Sequence, residues 1–271
     1  MSLTNSTIKG VKWSAISSIS RAILQVVQYS ILARYLNPTD FGLLAISMFI
    51  VSLSTIFVDL GLTSAVLHAK NITKIQFSSI FWLNLLLSLI LYSTLYFLTP
   101  FISTFYDQSE LLNIIPIIGV NLIIIAFGVQ HRTMLQKELN FKLISIIEII
   151  GVTSGFLSSI IFLFLDYGIY ALIYSIIIAS LIQYLLFFVV GSGTNSIAFT
   201  FKKKEIDKLL KIGYFQFGSS ILIFFTREID ILIIGKLLGL QNLGIYSLSK
   251  QLVLKISGII NPTITKVLAP V

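Results

Sequence analysis

The chain has 271 residues, 56% of them hydrophobic and only 11% charged, with a net charge of +8. Soluble globular domains carry about 25% charged residues, so 19 basic and 11 acidic side chains on 30.2 kDa, at mean hydropathy +0.96, exclude a water-facing surface and point to a lipid bilayer. The absence of cysteine excludes disulfides, thiolate zinc sites and iron–sulfur clusters, two histidines leave little for a metal, and no cofactor is expected.

Crossing a bilayer takes about 20 mostly apolar residues. Eight such stretches follow one another at 11–36, 41–66, 77–99, 112–130, 143–165, 169–190, 213–235 and 243–260. The segment Met1 to Lys9 is polar and the first apolar stretch outruns a signal-peptide core, which predicts an uncleaved first span. Basic residues alternate between the loops. Lys9, Lys12, Lys70, Lys74, Arg132, Lys137, Lys142, Lys202, Lys203, Lys204, Lys208 and Lys211 fall on one side, whereas the other has only Arg34 and Lys236. The rule that positive loops stay inside puts the N-terminus in the cytoplasm. It also explains the basic balance without nucleic acid, and it reads the run from Lys202 to Lys211 as a stop at the membrane surface rather than a headgroup patch.

An internal repeat lies at an offset of 202 residues: ARYLNPTDFGLLAIS from Ala33 aligns with GKLLGLQNLGIYSLS from Gly235. Gly42 falls on Gly244, Ser47 on Ser249, and upstream Ser17 and Ser18 fall on Ser219 and Ser220. Six spans between copies give both the same orientation, a parallel repeat about an axis along the membrane normal. The expected fold is an all-α polytopic membrane protein of about eight transmembrane helices. Residues 1–200 would form a complete six-helix lobe, 201–212 a basic cytoplasmic linker, and 213–271 the first two helices of a second lobe, cut short just after a helix break at Asn261 and Pro262.

Charges inside a bilayer are costly and default to the bundle interior. Ser14, Ser18, Arg21, Gln25 and Gln28 share one helical face, and the 202-residue shift turns that stripe into Gln216, Ser220, Ile223, Arg227 and Asp230. Both stripes would line one cavity. Arg21 has no acid within a turn, whereas Arg227 and Asp230, three apart, either neutralise each other or serve function. Lys250 and Lys255 lie about 10 and 18 Å below the outer surface; the first can snorkel and the second hardly can. Asp59, near the cytoplasmic end of the second span, could pair, cap a turn or gate a mouth. Glu148 lies near the inner end of the fifth span, Glu228 has no assigned role, and His68 and His131 are expected to be solvated. Deep cations without matching acids suit a ligand that brings phosphate. No phosphate-binding glycine loop and no histidine-activated nucleophile is present, so an enzyme is not expected.

The stretches ARYLNPTDFGLLAI from Ala33, DLGLTSAVLHAKNITKIQFSSIFWLNLLL from Asp59 and FGVQHRTMLQKELNFKLISIIEI from Phe127 closely resemble the lipopolysaccharide and exopolysaccharide exporters of the colanic acid and teichuronic acid type. These are oligosaccharide-lipid flippases related to multidrug/sodium antiporters. The resemblance implies a bacterial inner-membrane protein that moves undecaprenyl-diphosphate-linked oligosaccharides between leaflets by alternating access. It also implies membrane lipids, a polysaccharide polymerase and glycosyltransferases as partners. In such flippases a cationic cavity holds the diphosphate; Arg21, Arg227 and Lys255 are the positions here that could do so, with Gln25 and Gln28 beside them. Asp59, Asp230 and Lys250 are the candidates for gating or ion coupling. Two other readings stand beside this one. A multidrug or cation antiporter would exchange Na⁺ or H⁺ at Asp59 or Asp230, against which the excess of deep cations counts. A non-transporting membrane partner of polysaccharide synthesis would use no cavity at all.

Overall fold

The turns that punctuate the apolar runs carry helix-start chemistry. Asn37 precedes Pro38, and the backbone N–H of Asn37 donates to Asp40 Oδ2 at 2.9 Å, which starts α2 (Pro38–Asp59). Thr73 and Gln76 exchange side-chain and backbone bonds at 3.2 and 3.0 Å, a capping box that starts α4 (Lys74–Tyr106). The computed structural model describes residues 3–193 and 195–268. These fold into α1 (Leu3–Leu32), α2, α3 (Leu62–His68), α4, α5 (Leu111–Lys137), α6 (Phe141–Phe164), α7 (Tyr170–Ser192), α8 (Lys203–Leu237) and α9 (Gly239–Leu268), with no strand among the described residues. The side chain of Lys9 and the terminus at Val271, both used in reading the sequence, lie outside the described residues.

Among the described residues six helices are long and apolar enough to cross a membrane: residues 12–32 of α1, then α2, α4, α5, α6 and α7. They are the six spans expected of the first lobe. The chain is a multi-pass membrane protein. The predicted seventh and eighth spans fall on α8 and α9, which have the length, 35 and 30 residues; charges interrupt the apolar run of α8, and the described side chains of α9 end at Lys255.

Helices α1, α4 and α5 overrun the expected spans by seven or eight residues at one end, and the chain breaks differently from expectation at three places. The second span is not continuous to residue 66: Leu60 (φ 46°) and Gly61 (φ 72°) take left-handed backbone and separate α2 from α3. Glycine is required at 61, because a Cβ there would run into the backbone carbonyl of Gly213 on α8. The basic run Lys203–Lys211 is not a linker but the first turns of α8, where Ile206, Leu209 and Leu210 pack on Leu62, Ala65, Val66 and Ile80. Nor does the chain break at residues 261 and 262, through which α9 continues.

The connector from α7 to α8 is strapped across the start of α4. Trp82 Nε1 donates to the Ala198 carbonyl at 3.0 Å, the Ala198 N–H to Ser78 Oγ at 2.9 Å, and the Lys202 N–H to Ser79 Oγ at 3.0 Å. These bonds satisfy backbone groups that have no ladder to join. They deliver α8 to the same side of α2 that α9 occupies. Helix α2 therefore sits at the centre, against α4, α5, α8 and α9.

Candidate substrate cavity

The repeat noted in the sequence has a physical counterpart. A side chain on Gly42 would strike the carbonyl of Leu240, and one on Gly244 would strike the carbonyl of Pro38. The 202-residue shift turns Gly42 into Gly244 and Pro38 into Leu240, so the two contacts are one contact made twice. Such reciprocity is the mark of a two-fold relation. It brings the starts of α2 and α9 together backbone to backbone, as small residues do in membrane interfaces. Beyond that contact α1, α2, α6, α7, α8 and α9 surround a cavity of about 980 Å³, α6 through Val152 alone.

The two polar stripes meet there. Ser18, Arg21 and Gln25 of α1 face it together with Ser220, Ile223 and Arg227 of α8, position for position at the same offset. Lys250, Gln251 and Lys255 of α9, Gln183 of α7 and the acid Glu228 of α8 add to the polar wall, with Ser52, Ser180 and Ser247 between them. Gln28 does not reach it: its Nε2 donates to Ser175 Oγ of α7 at 3.3 Å.

Arg21 is not without an acid, as the sequence suggested. Its Nη1 lies 3.3 Å from Glu148 Oε2 of α6, a carboxylate 5% exposed that also takes Arg132 Nη2 of α5 at 3.0 Å and Ser17 Oγ at 3.2 Å. One buried negative charge therefore serves two arginines. Sequence reasoning left Glu148 at a span end, yet Glu148, Gly151 and Gly155 share a helical face, and that small-residue face marks the side of α6 that packs closely.

A second charge group crosses from α8 to α9. Lys250 Nζ sits 2.9 and 3.0 Å from the carboxylate oxygens of Asp230, 3.2 Å from Glu228 Oε2 and 2.5 Å from the Arg227 carbonyl. The Tyr246 hydroxyl donates to Asp230 as well. Asp230 thus pairs with Lys250 and not with Arg227, and Lys250 is held by acids rather than snorkelling. Glu228, unassigned in the sequence, is part of this group. Arg227 and Lys255 face the cavity and have no acidic partner among the described residues. Arg227 is exposed and Lys255 half-buried, and a half-buried charge without a partner is costly unless a ligand supplies one.

Two other expectations resolve differently. Asp59 caps the break between α2 and α3: its Oδ1 accepts from the Thr63 N–H at 3.1 Å and from Thr63 Oγ1 at 2.5 Å. It also borders a smaller cavity of about 290 Å³ with Ser52, Thr55 and Ser220. His131 is fully buried rather than solvated, edge-on to Phe77 and Phe188 with ring centroids 5.2 Å away, and Gly191 lies against its ring. Among the described residues no group of three or more His, Asp or Glu could hold a metal.

The described residues form a multi-pass helical bundle, six of its helices of membrane length, with a cavity lined by basic side chains between two repeated helix pairs. A solved structure titled as the inward-facing conformation of a multidrug resistance MATE family transporter of the MOP superfamily matches this fold with a TM-score of 0.56 at 17% identity, over 90% of this chain and 63% of that one. Residues 31–271 match the family described as polysaccharide biosynthesis protein, and the chain belongs to that family. The teichuronic acid biosynthesis protein TuaB of Bacillus subtilis (strain 168) is 30% identical over 100% of this chain and 56% of its own. The lipopolysaccharide biosynthesis protein WzxC of Escherichia coli (strain K12) is 28% identical over 100% of this chain and 55% of its own. The chain therefore spans little more than half the length of these relatives.

Proposed function

We propose that the cavity binds the diphosphate of an undecaprenyl-linked oligosaccharide and that the protein flips this substrate across the bacterial inner membrane during polysaccharide export. The observation that carries the reading is the surplus of positive charge: Arg21, Arg227, Lys250 and Lys255 line the cavity against one acid, Glu228, which pairs with Lys250, and Arg21 shares one carboxylate with Arg132. Phosphate oxygens suit such a set, because guanidinium groups bind them in pairs and ammonium as a point charge. A volume of about 980 Å³ lies within the range of sites that enclose a drug-sized headgroup, leaving the polyprenyl tail in lipid. Gln25, Gln183 and Gln251 add donors and acceptors fit for sugar hydroxyls.

In this reading α1 to α7 are the first lobe, with a cytoplasmic N-terminus set by the basic loops, and α8 and α9 open a second. Alternating access would come from rocking one helix pair against the other about the glycine contact. Glycosyltransferases and a polymerase would supply and consume the substrate. The antiporter reading relies on Asp59 and Asp230; Asp230 is taken up by Lys250 and Tyr246, which leaves that reading Asp59, bonded by Thr63 through Oδ1 at the edge of the smaller cavity. The test is to replace Arg21, Arg227 and Lys255 singly by Gln in the native gene and to measure surface polysaccharide at matched protein abundance. Each substitution is expected to depress it; unimpaired polysaccharide in all three strains would contradict the proposal.

A further inference from the structure

We infer that Glu148 is a stand-in anion, which holds Arg21 while the cavity is empty and releases it to the phosphate of an arriving ligand. The inference rests on the reading of the cavity as a diphosphate site and adds how that site is kept ready and how it is emptied.

Arg21, Arg227 and Lys255 line one cavity, and like charges gathered there repel one another. Glu148 offsets part of that repulsion without occupying the space. It is buried on α6, is not part of the cavity wall, and reaches Arg21 from behind.

Its bonds are distributed in a way that allows exchange. Arg132 donates to Oε1 at 3.0 Å and Ser17 to Oε2 at 3.2 Å, and Arg21 shares Oε2 with Ser17 at 3.3 Å. When Arg21 turns away, each oxygen of Glu148 keeps one partner, so the buried carboxylate is not orphaned. Arg21 is loosely held on its own side too. Its Nη2 lies 3.4 Å from Ser18 Oγ, and its buried Nε has no hydrogen-bond partner among the described residues. Donors left idle by one carboxylate oxygen can be filled by a phosphate, which presents several oxygens to the guanidinium fork. Lys250 offers the contrast: acceptors from Arg227, Glu228 and Asp230 surround its ammonium, so it is fixed and not exchangeable.

Competition of this kind weakens apparent affinity by the fraction of molecules in which Arg21 is free. A carrier gains from that, because a diphosphate held by every cation at once would leave slowly. Glu148 is then a positioning residue that limits affinity, and removing its charge should tighten binding.

The test is titration calorimetry of inorganic pyrophosphate into the purified chain in zwitterionic nanodiscs. Glu148→Gln is expected to bind on the order of tenfold more tightly than the parent. Arg21→Gln should bind more weakly, and adding Glu148→Gln to it should change nothing further. Glu148→Asp, which draws the carboxylate back from Arg21 but leaves a charge for Arg132, should give a smaller gain of about threefold and serves if the Gln variant does not fold. A folded Glu148→Gln protein with unchanged or weaker affinity would overturn the inference, as would a gain that survives in the Arg21→Gln background. Absence of saturable binding by the parent would instead bring down the diphosphate reading, and this inference with it.

Discussion

The pair α1–α2 and the pair α8–α9 repeat one backbone plan and differ in chemistry. Gly42 and Gly244 make the same contact from opposite sides, and Ser18 and Ser220 occupy matching places on the cavity wall. Where the first pair has Gln25, Met48 and Leu53, however, the second has Arg227, Lys250 and Lys255. The first pair contributes Arg21, opposite which the second has Ile223. The contact that joins the two halves is thus duplicated, while the charge that a ligand would meet is concentrated in one half. Packing needs symmetry because a reciprocal contact closes on itself; a single asymmetric headgroup needs none.

That comparison can be broken most directly at the unpaired cations. Replacing both Arg227 and Lys255 by Gln should lower pyrophosphate affinity about a hundredfold, since each charge-assisted contact contributes about 1.5 kcal/mol or more, whereas Gln25→Ala in the first pair should cost under tenfold. Equal losses from the two halves in calorimetry would erase the asymmetry. The glycine contact comes next. Gly42→Ala and Gly244→Ala should each destabilise the purified chain by about 1–3 kcal/mol, read as a lowered midpoint of thermal unfolding, because each methyl meets a backbone carbonyl that cannot step aside. A large effect at one glycine and none at the other would show that the contact is not reciprocal.

How far these features could be read from the chain itself depended on whether they are local. The six apolar spans, the offset of 202 and the two polar stripes follow from periodicity, a property of each segment alone, and the structure brings Ser18, Arg21, Gln25, Ser220 and Arg227 to one cavity. What distance in sequence hides was not legible. Glu148 is 127 residues from Arg21, and nothing near either one announces the pair. Gln28 carries the same periodicity as Gln25 but turns to Ser175, and Asp230 passes over Arg227, its neighbour on the helix, for Lys250 on α9. The break at Leu60 and Gly61 lies in an apolar run that hydropathy reads as continuous; the glycine was visible, but the backbone of α8 against it was not.

Two smaller effects sharpen the same contrast. Lys250→Gln should alter pyrophosphate affinity by less than about threefold, because its charge is already taken up by Glu228 and Asp230, yet it should cost about 1–3 kcal/mol of stability by leaving those carboxylates unpaired. Adding Asp230→Asn should restore part of that loss, which thermal unfolding of the double variant would show. Gln28→Ala should be the mildest change, about 1 kcal/mol or less in unfolding and none in binding, since it removes one long hydrogen bond outside the cavity.

The central claim, that one cavity between the repeated helix pairs receives a lipid diphosphate, is tested most directly by locating the ligand. A photoreactive isoprenyl diphosphate, cross-linked to the protein in nanodiscs and mapped by peptide mass spectrometry, should label α1 around Arg21 to Gln25, α8 around Arg227 and α9 around Gln251 to Lys255, and pyrophosphate should suppress all three. Labelling confined to lipid-facing surfaces, or labelling that pyrophosphate leaves unchanged, would contradict it.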